Sequence, residues 1–212
     1  MTEMSFWQPQ GTVYGTLLNF QREWALWAQR MSQDPYKAPP QAPVLYVKSA
    51  NTFNPSARLQ LQDGVQTLDI GATLGLVMGP EGQVASAVLL NDWAVPHASY
   101  YRPPVKFRCR DGYLACGQPV PWRAVDAGCL VLEVQVNGQT VHRVDLATLV
   151  RKVPQLLGDV GEFMGLRAGD VLMVGTDCLA DGQRPQAVAG DVVHINAPGF
   201  APLVQTVVGE AT

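Results

Sequence analysis

The sequence predicts a mostly β, α+β fold, because short apolar runs separated by turn residues outnumber helical patterns. Glycine and proline make up 20 and 16 of the 212 residues and punctuate these runs. The chain is 47% apolar and 16% charged, which allows a sizeable buried core. We expect an N-terminal arm at residues 1–10 and one domain at residues 11–212.

The first elements are predicted to be a strand and a helix. Residues 13–18 (VYGTLL) form an apolar run typical of a strand. Residues 22–31 (REWALWAQRM) place their apolar side chains on one helical face. Residues 34–43 are rich in proline and therefore predict an extended loop, and residues 44–48 predict a short strand.

The middle of the chain predicts consecutive strands. Residues 59–62 (LQLQ) alternate with the period of a half-exposed strand. Residues 68–78 and 84–90 are almost continuously apolar, which indicates buried strands. Residues 130–136 and 140–144 flank an Asn-Gly turn and predict a β-hairpin.

A second helix is predicted at residues 145–157 (DLATLVRKVPQLL), with Asp145 as its N-cap. Pro154 lies inside this segment, so we expect a kink or a break there. Residues 158–166 could continue as a second helical piece. Two later Gly-Asp turns, each followed by an apolar run, predict the last strands.

Composition and charge disfavour several classes of function. The net charge is −3 without a long run of either sign, which argues against nucleic acid as a partner. No apolar run approaches the ~18 residues that span a bilayer, and the N-terminus lacks the features of a signal peptide. We therefore expect a cytoplasmic protein that does not act at a membrane. The four cysteines lack zinc-site spacing and are expected to be free thiols: Cys109, Cys116, Cys129 and Cys178.

The most specific signal lies between Leu68 and Gly117. This stretch includes LDIGATLGLVMG and then VLLNDWAVPHASYYRPPVKFRCRDGYLACG. Together with DPYKAPP and a C-terminal GDV–GTD pair, it resembles the fumarylacetoacetate hydrolase family, and within it the isomerase/decarboxylase subgroup of homoprotocatechuate (4-hydroxyphenylacetate) catabolism. The resemblance covers residues 11 to 208. It implies a mixed β roll or sandwich with few helices, usually dimeric, like the C-terminal domain of fumarylacetoacetase.

The resemblance also implies a divalent metal site that is degenerate in this chain. The family strand carries Glu-x-Glu, two carboxylates on one strand face, and a third Asp completes an oxygen site for Mg²⁺ or Ca²⁺. Gly71 and Thr73 stand at the Glu positions, whereas the third ligand is retained as Asp92. We do not expect tight binding of Mg²⁺. Asp92 is either a weak, vestigial metal ligand with a catalytic role or the cap of a turn.

Lys106, Arg108 and Arg110 form the densest cationic cluster of the sequence. If the segment is a strand, alternation places all three on one face, and the alternative is a solvated basic loop. The resemblance implies that Arg108 replaces a family Lys near the acidic end of the substrate. Arginine keeps the charge but cannot act as a base at neutral pH. Arg102, in the YYRP segment, could line the pocket mouth or a subunit contact.

Other candidates also come from the resemblance. Thr176, in the GTD segment, is a substrate contact or a turn residue, and Lys48 matches a Lys beside the family pocket. The family's catalytic His, in an Asn-Tyr-x-x-His pattern after the first strand, is missing from LLNFQREW. Glu23 could replace it as a base, or it could simply favour the helix dipole. His97 is expected in a surface loop.

The resemblance implies a subunit of an enzyme that decarboxylates 5-oxopent-3-ene-1,2,5-tricarboxylate and isomerises 2-hydroxyhepta-2,4-diene-1,7-dioate. In the duplicated relatives only one half keeps the metal carboxylates, and this chain resembles the other half. Isomerisation mainly moves a proton, so it could tolerate a poorer metal site. The alternatives are a non-catalytic scaffold subunit paired with a metal-bearing homologue, or another 2-oxo acid hydrolase. The expected partners are a di- or tricarboxylate and a second subunit, in a homodimer or a heterodimer.

Overall fold

Two β-sheets and a two-stranded ribbon form the framework of the computed structural model, which describes residues 6–97 and 105–209. Within these ranges there are fifteen strands and three α-helices. The strands are β1 Val13–Leu17, β2 Val44–Lys48, β3 Phe53–Asn54, β4 Arg58–Gln60, β5 Thr67–Asp69, β6 Ala72–Met78, β7 Val84–Asp92, β8 Leu114–Cys116, β9 Val120–Pro121, β10 Val131–Val136, β11 Gln139–Asp145, β12 Val171–Met173, β13 Gln186–Val188, β14 Val192–Asn196 and β15 Leu203–Val208. The helices are α1 Gln21–Met31, α2 Val105–Arg108 and α3 Val153–Gly161. The predicted α+β, mostly β class is confirmed.

The larger sheet has the strand order β2-β1-β12-β6-β7-β8-β3, with β9 paired to β7. The smaller sheet has the order β11-β10-β14-β15-β4, and β13 and β5 form the ribbon. Strands β1 and β12 run parallel although they are far apart in the sequence. The larger sheet therefore joins an early and a late part of the chain.

The environment of strand β6 explains why residues 72–78 are so apolar. Every residue of ATLGLVM is buried, which requires cover on both faces of the strand. Its antiparallel partner β7 is buried from Ala87 to Asp92 in the same way. The pairing of Ala72 with Asn91 brings Gly71 and Asp92 together at one end of the two strands.

The main core lies between the two sheets. Its buried side chains come from both sheets and include Leu74, Leu76, Leu89, Leu132, Val134, Ile195 and Val207. Burying each such aliphatic side chain contributes about 1.5–3 kcal/mol relative to its exposure to water. Phe6 and Trp7 pack against core clusters, so the described part of the N-terminal segment lies on the domain.

The helix predicted at residues 145–157 is wrong in its extent. Strand β11 continues to Asp145, a 3₁₀ turn follows at Leu146–Thr148, and α3 begins only at Val153. Asp145 does act as an N-cap, but of the 3₁₀ turn, where its carboxylate accepts from the Ala147 amide at 2.9 Å. Pro154 lies in the first turn of α3. The N–H groups of this turn have no acceptor within the helix, so the N–H that proline lacks breaks no helical hydrogen bond.

Two further predicted segments are seen in more detail. The apolar run at residues 68–78 forms two strands, the end of β5 and all of β6, with Ile70 and Gly71 between them. The strand considered at Lys106 to Arg110 is wrong, because α2 and a turn occupy this region. The predicted helix at residues 22–31 is confirmed by α1. Among the described residues, no helix is long and apolar enough to cross a bilayer.

The position of Pro154 in α3 can be tested with Pro154→Ala. We expect the free energy of unfolding to fall by about 0.4–1 kcal/mol, because a proline in the first turn restricts the unfolded chain without breaking a helical hydrogen bond. Urea unfolding measures the change, with Gln155→Ala at the next exposed position as the control. Stabilisation by about 3 kcal/mol would instead place the proline inside the helix.

Candidate functional site

A cavity of about 410 Å³ opens beside the ends of β5, α1 and α2. It is lined by Leu26, Trp27, Arg30, Asp69, Pro96, His97, Arg108, Asp181, Gly182, Gln183 and Arg184. Three arginines and two aspartates are among these side chains, so the described lining carries more positive than negative groups at neutral pH. Such a surface suits an anionic ligand.

Asp92 lies behind this cavity in a buried ion cluster. Asp92 is the last residue of β7, and its side chain contacts Lys48 from β2 and Arg108 from α2. Lys48 Nζ is 2.8 Å from Asp92 Oδ1, and Arg108 Nη1 is 2.6 Å from Asp92 Oδ2. Each of the three residues is only 1% exposed. The Tyr46 hydroxyl donates a further hydrogen bond to Asp92 Oδ2.

The charge states of this cluster follow from its hydrogen bonds. Burial opposes ionisation of Asp92, but Lys48 and Arg108 outweigh it and hold the pKa of the carboxyl below its usual range. Burial also lowers the pKa of Lys48, against the attraction of Asp92. The Lys48 amine donates to the carbonyl oxygens of Arg108 and Tyr113, which can only accept. With Asp92 these use all three donors of an ammonium, so we assign Lys48 as charged.

The residues at this position do not fit a divalent metal. Asp92 is already bound by two cations and a hydroxyl, and those cations would repel a metal ion. Gly71 has no ligand, and a Cβ built there would lie 2.2 Å from the backbone oxygen of Asp92. The buried Thr73 hydroxyl is directed at the Leu74 carbonyl, 3.5 Å away. Within the described part of the chain, no cluster of three or more His, Cys, Asp or Glu side chains could hold a metal.

Glu23 and Thr176 both contact Arg184. Glu23 is buried in the first turn of α1, and its Oε1 accepts from Arg184 Nη2 at 2.6 Å. Arg184 Nη1 donates to the carbonyl oxygens of Thr176 and Asp177, at 3.2 and 2.6 Å. Arg184 is thus held rigidly where it lines the cavity. Glu23 is the ionic partner of an arginine here, and Thr176 contributes its backbone oxygen.

The other predicted cationic residues lie apart from the cavity lining. Arg110 Nη1 donates to Gln62 Oε1 at 3.1 Å, and its Nε donates to the Lys106 carbonyl at 3.1 Å. Lys106 is exposed on α2. Of the three clustered cations, only Arg108 lines the cavity. Arg102 lies outside the described residues.

His97 lies in a loop, as expected from the sequence, where it is half-buried and lines the cavity. Its ring stacks on Phe107, with the ring centroids 5.0 Å apart and the planes 4° from parallel. His97 Nδ1 is 2.9 Å from the Val95 carbonyl oxygen. Burial lowers the pKa of this imidazole, and Arg108 and Arg184 act in the same direction.

Asp69, Arg30 and Arg184 were not identified as site residues from the sequence. Asp69, Gly71 and Thr73 follow one another at intervals of two residues, which on a strand places them on the same face. This spacing could have identified Asp69 as a candidate site residue. Burial raises the pKa of Asp69, although a hydrogen bond from Gln186 Nε2 at 3.1 Å opposes this. Arg30 and Arg184 carry no local motif, and only the folded chain brings them to the cavity.

Comparison with known proteins identifies relatives along the whole domain. The model of the fumarylacetoacetate hydrolase C-terminal family matches residues 12–208. The 4-hydroxyphenylacetate degradation bifunctional isomerase/decarboxylase of Escherichia coli is 32% identical over 95% of this chain, which covers 48% of that relative. The 2,4-didehydro-3-deoxy-L-rhamnonate hydrolase of Sphingomonas is 26% identical, over 74% of this chain and 61% of that relative. The chain thus spans about half the length of the bifunctional relatives that it matches.

Solved structures share the fold. Fumarylpyruvate hydrolase from Pseudomonas aeruginosa, in complex with Mn²⁺ and pyruvate, superposes with a TM-score of 0.76 at 20% identity, over 94% of this chain and 90% of that one. The 2-hydroxyhepta-2,4-diene-1,7-dioate isomerase from Mycobacterium marinum superposes with a TM-score of 0.71 at 18% identity, over 95% and 75% of the two chains. At these identities the likeness establishes the fold.

The buried cluster predicts a large effect for Asp92→Asn. Removing the anion leaves two buried cations without their counter-charge, so we expect the free energy of unfolding at pH 7 to fall by about 3–5 kcal/mol. Urea unfolding measures this loss. Asp63→Asn, at an exposed turn, is the matched control and should change stability by less than about 0.5 kcal/mol.

The same variant should also change the dependence of stability on pH. The pKa of Asp92 is lowered in the folded chain, so its contribution is complete above the unfolded value of about 3.9 and is lost as the pH falls through the folded-state pKa. The stability difference between the original chain and Asp92→Asn should therefore shrink below about pH 4. A difference that stays constant down to acid pH would argue against an ionised Asp92.

Proposed function

This chain belongs to the fumarylacetoacetate hydrolase C-terminal family, and we propose that it is a subunit of an isomerase/decarboxylase that binds an unsaturated dicarboxylate in the arginine-lined cavity. The bifunctional relatives of 4-hydroxyphenylacetate catabolism support this substrate class. Their chains are about twice as long as the matched length. We propose that the chain acts together with a homologous second subunit or with a second copy. The expected reaction is isomerisation of 2-hydroxyhepta-2,4-diene-1,7-dioate.

The observation that carries the proposal is the position of Arg108. This side chain lines the cavity and, through Nη1, also binds Asp92 at 2.6 Å. Its guanidinium is fixed by the buried anion and borders the cavity, although the residue is only 1% exposed. From this position its charge would favour a substrate carboxylate or the oxygen of an enolate without reorganisation. Lys48 lies 2.8 Å from the other carboxylate oxygen of Asp92 and thereby helps to hold this anion in place.

Two further arginines define how a dicarboxylate would lie. Arg184 is held by Glu23 and two carbonyl oxygens near Arg108 in the lining. Arg30 lies on α1 with its guanidinium 5.3 Å from the Trp27 ring centroid. A substrate with a carboxylate at each end could be bound by Arg108 and Arg184 at one end and by Arg30 at the other. We propose that the guanidinium groups take over the role that a metal ion has in metal-bearing relatives.

A non-catalytic scaffold subunit is the second candidate. The close approach of Gly71 to the Asp92 backbone favours it, because the strand ends are packed for a chain without the family's metal carboxylates. In this case the chain would pair with a metal-bearing homologue and stabilise it. The cavity lining would then have no role in turnover.

The two candidates are separated by an assay of the purified chain. The absorbance of the dienol is followed for the chain alone, for a metal-bearing homologue alone and for their mixture, each with EDTA and with excess Mg²⁺. We expect isomerisation by the chain that is insensitive to EDTA, because the proposed site uses guanidinium groups in place of a metal ion. Activity only in the mixture, with no gain over the homologue alone, would support the scaffold and contradict the enzymatic proposal.

The binding mode predicts the effect of Arg30→Gln. A charge-assisted hydrogen bond contributes about 1.5–3 kcal/mol, so KM for the dicarboxylate should rise at least about tenfold. Arg123→Gln, an exposed arginine outside the cavity lining, is the matched control. Steady-state kinetics measures both variants. An unchanged KM in Arg30→Gln would show that this end of the cavity does not bind the substrate.

A further inference from the structure

We propose that Asp69 is the proton-transfer residue of the arginine-lined cavity and moves the substrate proton from oxygen to carbon. This inference rests on the proposed isomerase function and assigns its central chemical step to one side chain. Asp69 is the last residue of β5 and lines the cavity, where it is 8% exposed. A carboxylate here repels an anionic ligand, so its presence argues for a role that offsets this cost.

Three side chains of the described lining can act as bases near neutral pH, namely Asp69, His97 and Asp181. The arginines stay protonated and cannot accept a proton. His97 Nε2 has almost no accessible surface and its Nδ1 is directed at the Val95 carbonyl, so a ligand in the cavity cannot reach a basic nitrogen. Asp181 is exposed at a turn, where its Oδ1 accepts from the Gln183 amide at 2.9 Å. Of the three, Asp69 is the base that is both buried and within reach of a ligand.

One oxygen of the Asp69 carboxylate is held and the other is available for reaction. Oδ1 accepts a hydrogen bond from Gln186 Nε2 at 3.1 Å. Within the part of the chain that the structure describes, Oδ2 has no hydrogen-bond partner and Asp69 forms no salt bridge. Oδ2 is not among the fully buried polar atoms that lack a partner, so it keeps accessible surface. A ligand in the cavity can therefore contact Oδ2.

The backbone fixes this carboxylate in position. Asp69 and Gln186 lie directly opposite each other on β5 and β13. The Asp69 amide donates to the Ala94 carbonyl at 2.8 Å, and the Ala94 amide donates back to the Asp69 carbonyl at 3.2 Å. The Ile70 amide donates to the Pro185 carbonyl at 2.7 Å, which ties the end of β5 to the segment before β13. A base that is held in this way can meet its substrate without a prior rearrangement.

The surroundings of Asp69 suit a group that must receive a proton and return it. Burial raises the pKa of the carboxyl, whereas the hydrogen bond from Gln186 and the nearby Arg184, His97 and Arg108 lower it. Because burial prevails, this carboxylate takes up a proton more readily than an exposed aspartate does. The arginines of the lining would bind the substrate anions and offset their repulsion by Asp69.

The step balances without a redox partner. Asp69 Oδ2 accepts the proton of the 2-hydroxyl group of the dienol, and the substrate O–H bond breaks. The electrons shift so that the C2=C3 and C4=C5 double bonds become C2=O and C3=C4. The carboxylic acid then gives the proton to C5, where a C–H bond forms, and the carboxylate is restored. Arg108 would favour the negative charge on the C2 oxygen between the two transfers.

The variant Asp69→Asn tests the role, because its amide oxygen can still accept from Gln186 but the group offers no base. We expect kcat for dienol isomerisation to fall by about 10²–10⁴-fold. Steady-state kinetics measures the change. Asp63→Asn, at an exposed turn outside the cavity lining, is the matched control and should keep the original kcat.

Binding of adipate, an unreactive saturated dicarboxylate, separates catalysis from structure. Removing the negative charge of Asp69 lessens the repulsion of an anionic ligand. We therefore expect Asp69→Asn to bind adipate as tightly as the original chain or up to about tenfold more tightly. Isothermal titration calorimetry measures the affinity. A merely structural role for Asp69 would instead weaken adipate binding together with kcat.

Chemical rescue tests the carboxylate itself. Asp69→Ala leaves room beside Gln186 for a small carboxylate, so added formate should raise kcat of this variant at least about tenfold. Chloride at the same ionic strength should have no such effect. Formate should also leave the rate of Asp63→Asn unimproved, since this variant retains the Asp69 carboxylate.

The outcomes distinguish the inference from the proposed function. If the original chain isomerises the dienol and Asp69→Asn keeps its kcat, the inference is wrong while the proposed function stands. The same holds if kcat and adipate affinity fall together and formate restores nothing. If neither the original chain nor its mixture with the homologue isomerises beyond the homologue's own rate, both are wrong. A fall in kcat with intact adipate binding and rescue by formate supports both.

Discussion

The buried carboxylate of Asp92 is the constraint on which the rest of the site depends. An isolated charge at 1% exposure would cost several kcal/mol, so the fold must supply counter-charges at short range. Lys48 and Arg108 supply them from β2 and α2. These two elements are thereby fixed to the end of β7, and the position of the cavity follows because Arg108 belongs to both the cluster and the lining.

This cluster also gives a physical account of how a buried Asp92 carboxylate can stay ionised without a metal ion. A divalent ion needs several anionic oxygens to offset the loss of its water, and one aspartate is not enough. Two side-chain cations balance the Asp92 carboxylate instead, and they are covalently part of the chain. A side chain at position 71 would also require the backbone to shift, since a Cβ there would lie 2.2 Å from the Asp92 backbone oxygen.

The sequence predicted local features well and long-range partners poorly. The apolar runs identified β6 and β7, and the periodicity of residues 22–31 identified α1. The helix at residues 145–157 was misplaced, because Pro154 is compatible with a helix start as well as with a kink and the local pattern could not decide. The resemblance singled out Asp92, Lys48 and Arg108, but their mutual contacts required the fold. Arg184 was missed because its position is set by Glu23, 161 residues away in the sequence.

The parallel pairing of β1 with β12 has a consequence for biosynthesis. Thr12 and Asp170, at the start of this pairing, are 158 residues apart, and their hydrogen bond closes a loop of about three quarters of the chain. During translation β1 can pair with β2 on one edge, but its other edge has no strand partner until β12 has left the ribosome. Closing so long a loop is entropically costly and is expected to slow folding. The apolar strands β6 and β7 are made in this interval, so the nascent chain exposes aggregation-prone surface and depends on chaperones more than a protein with local contacts would.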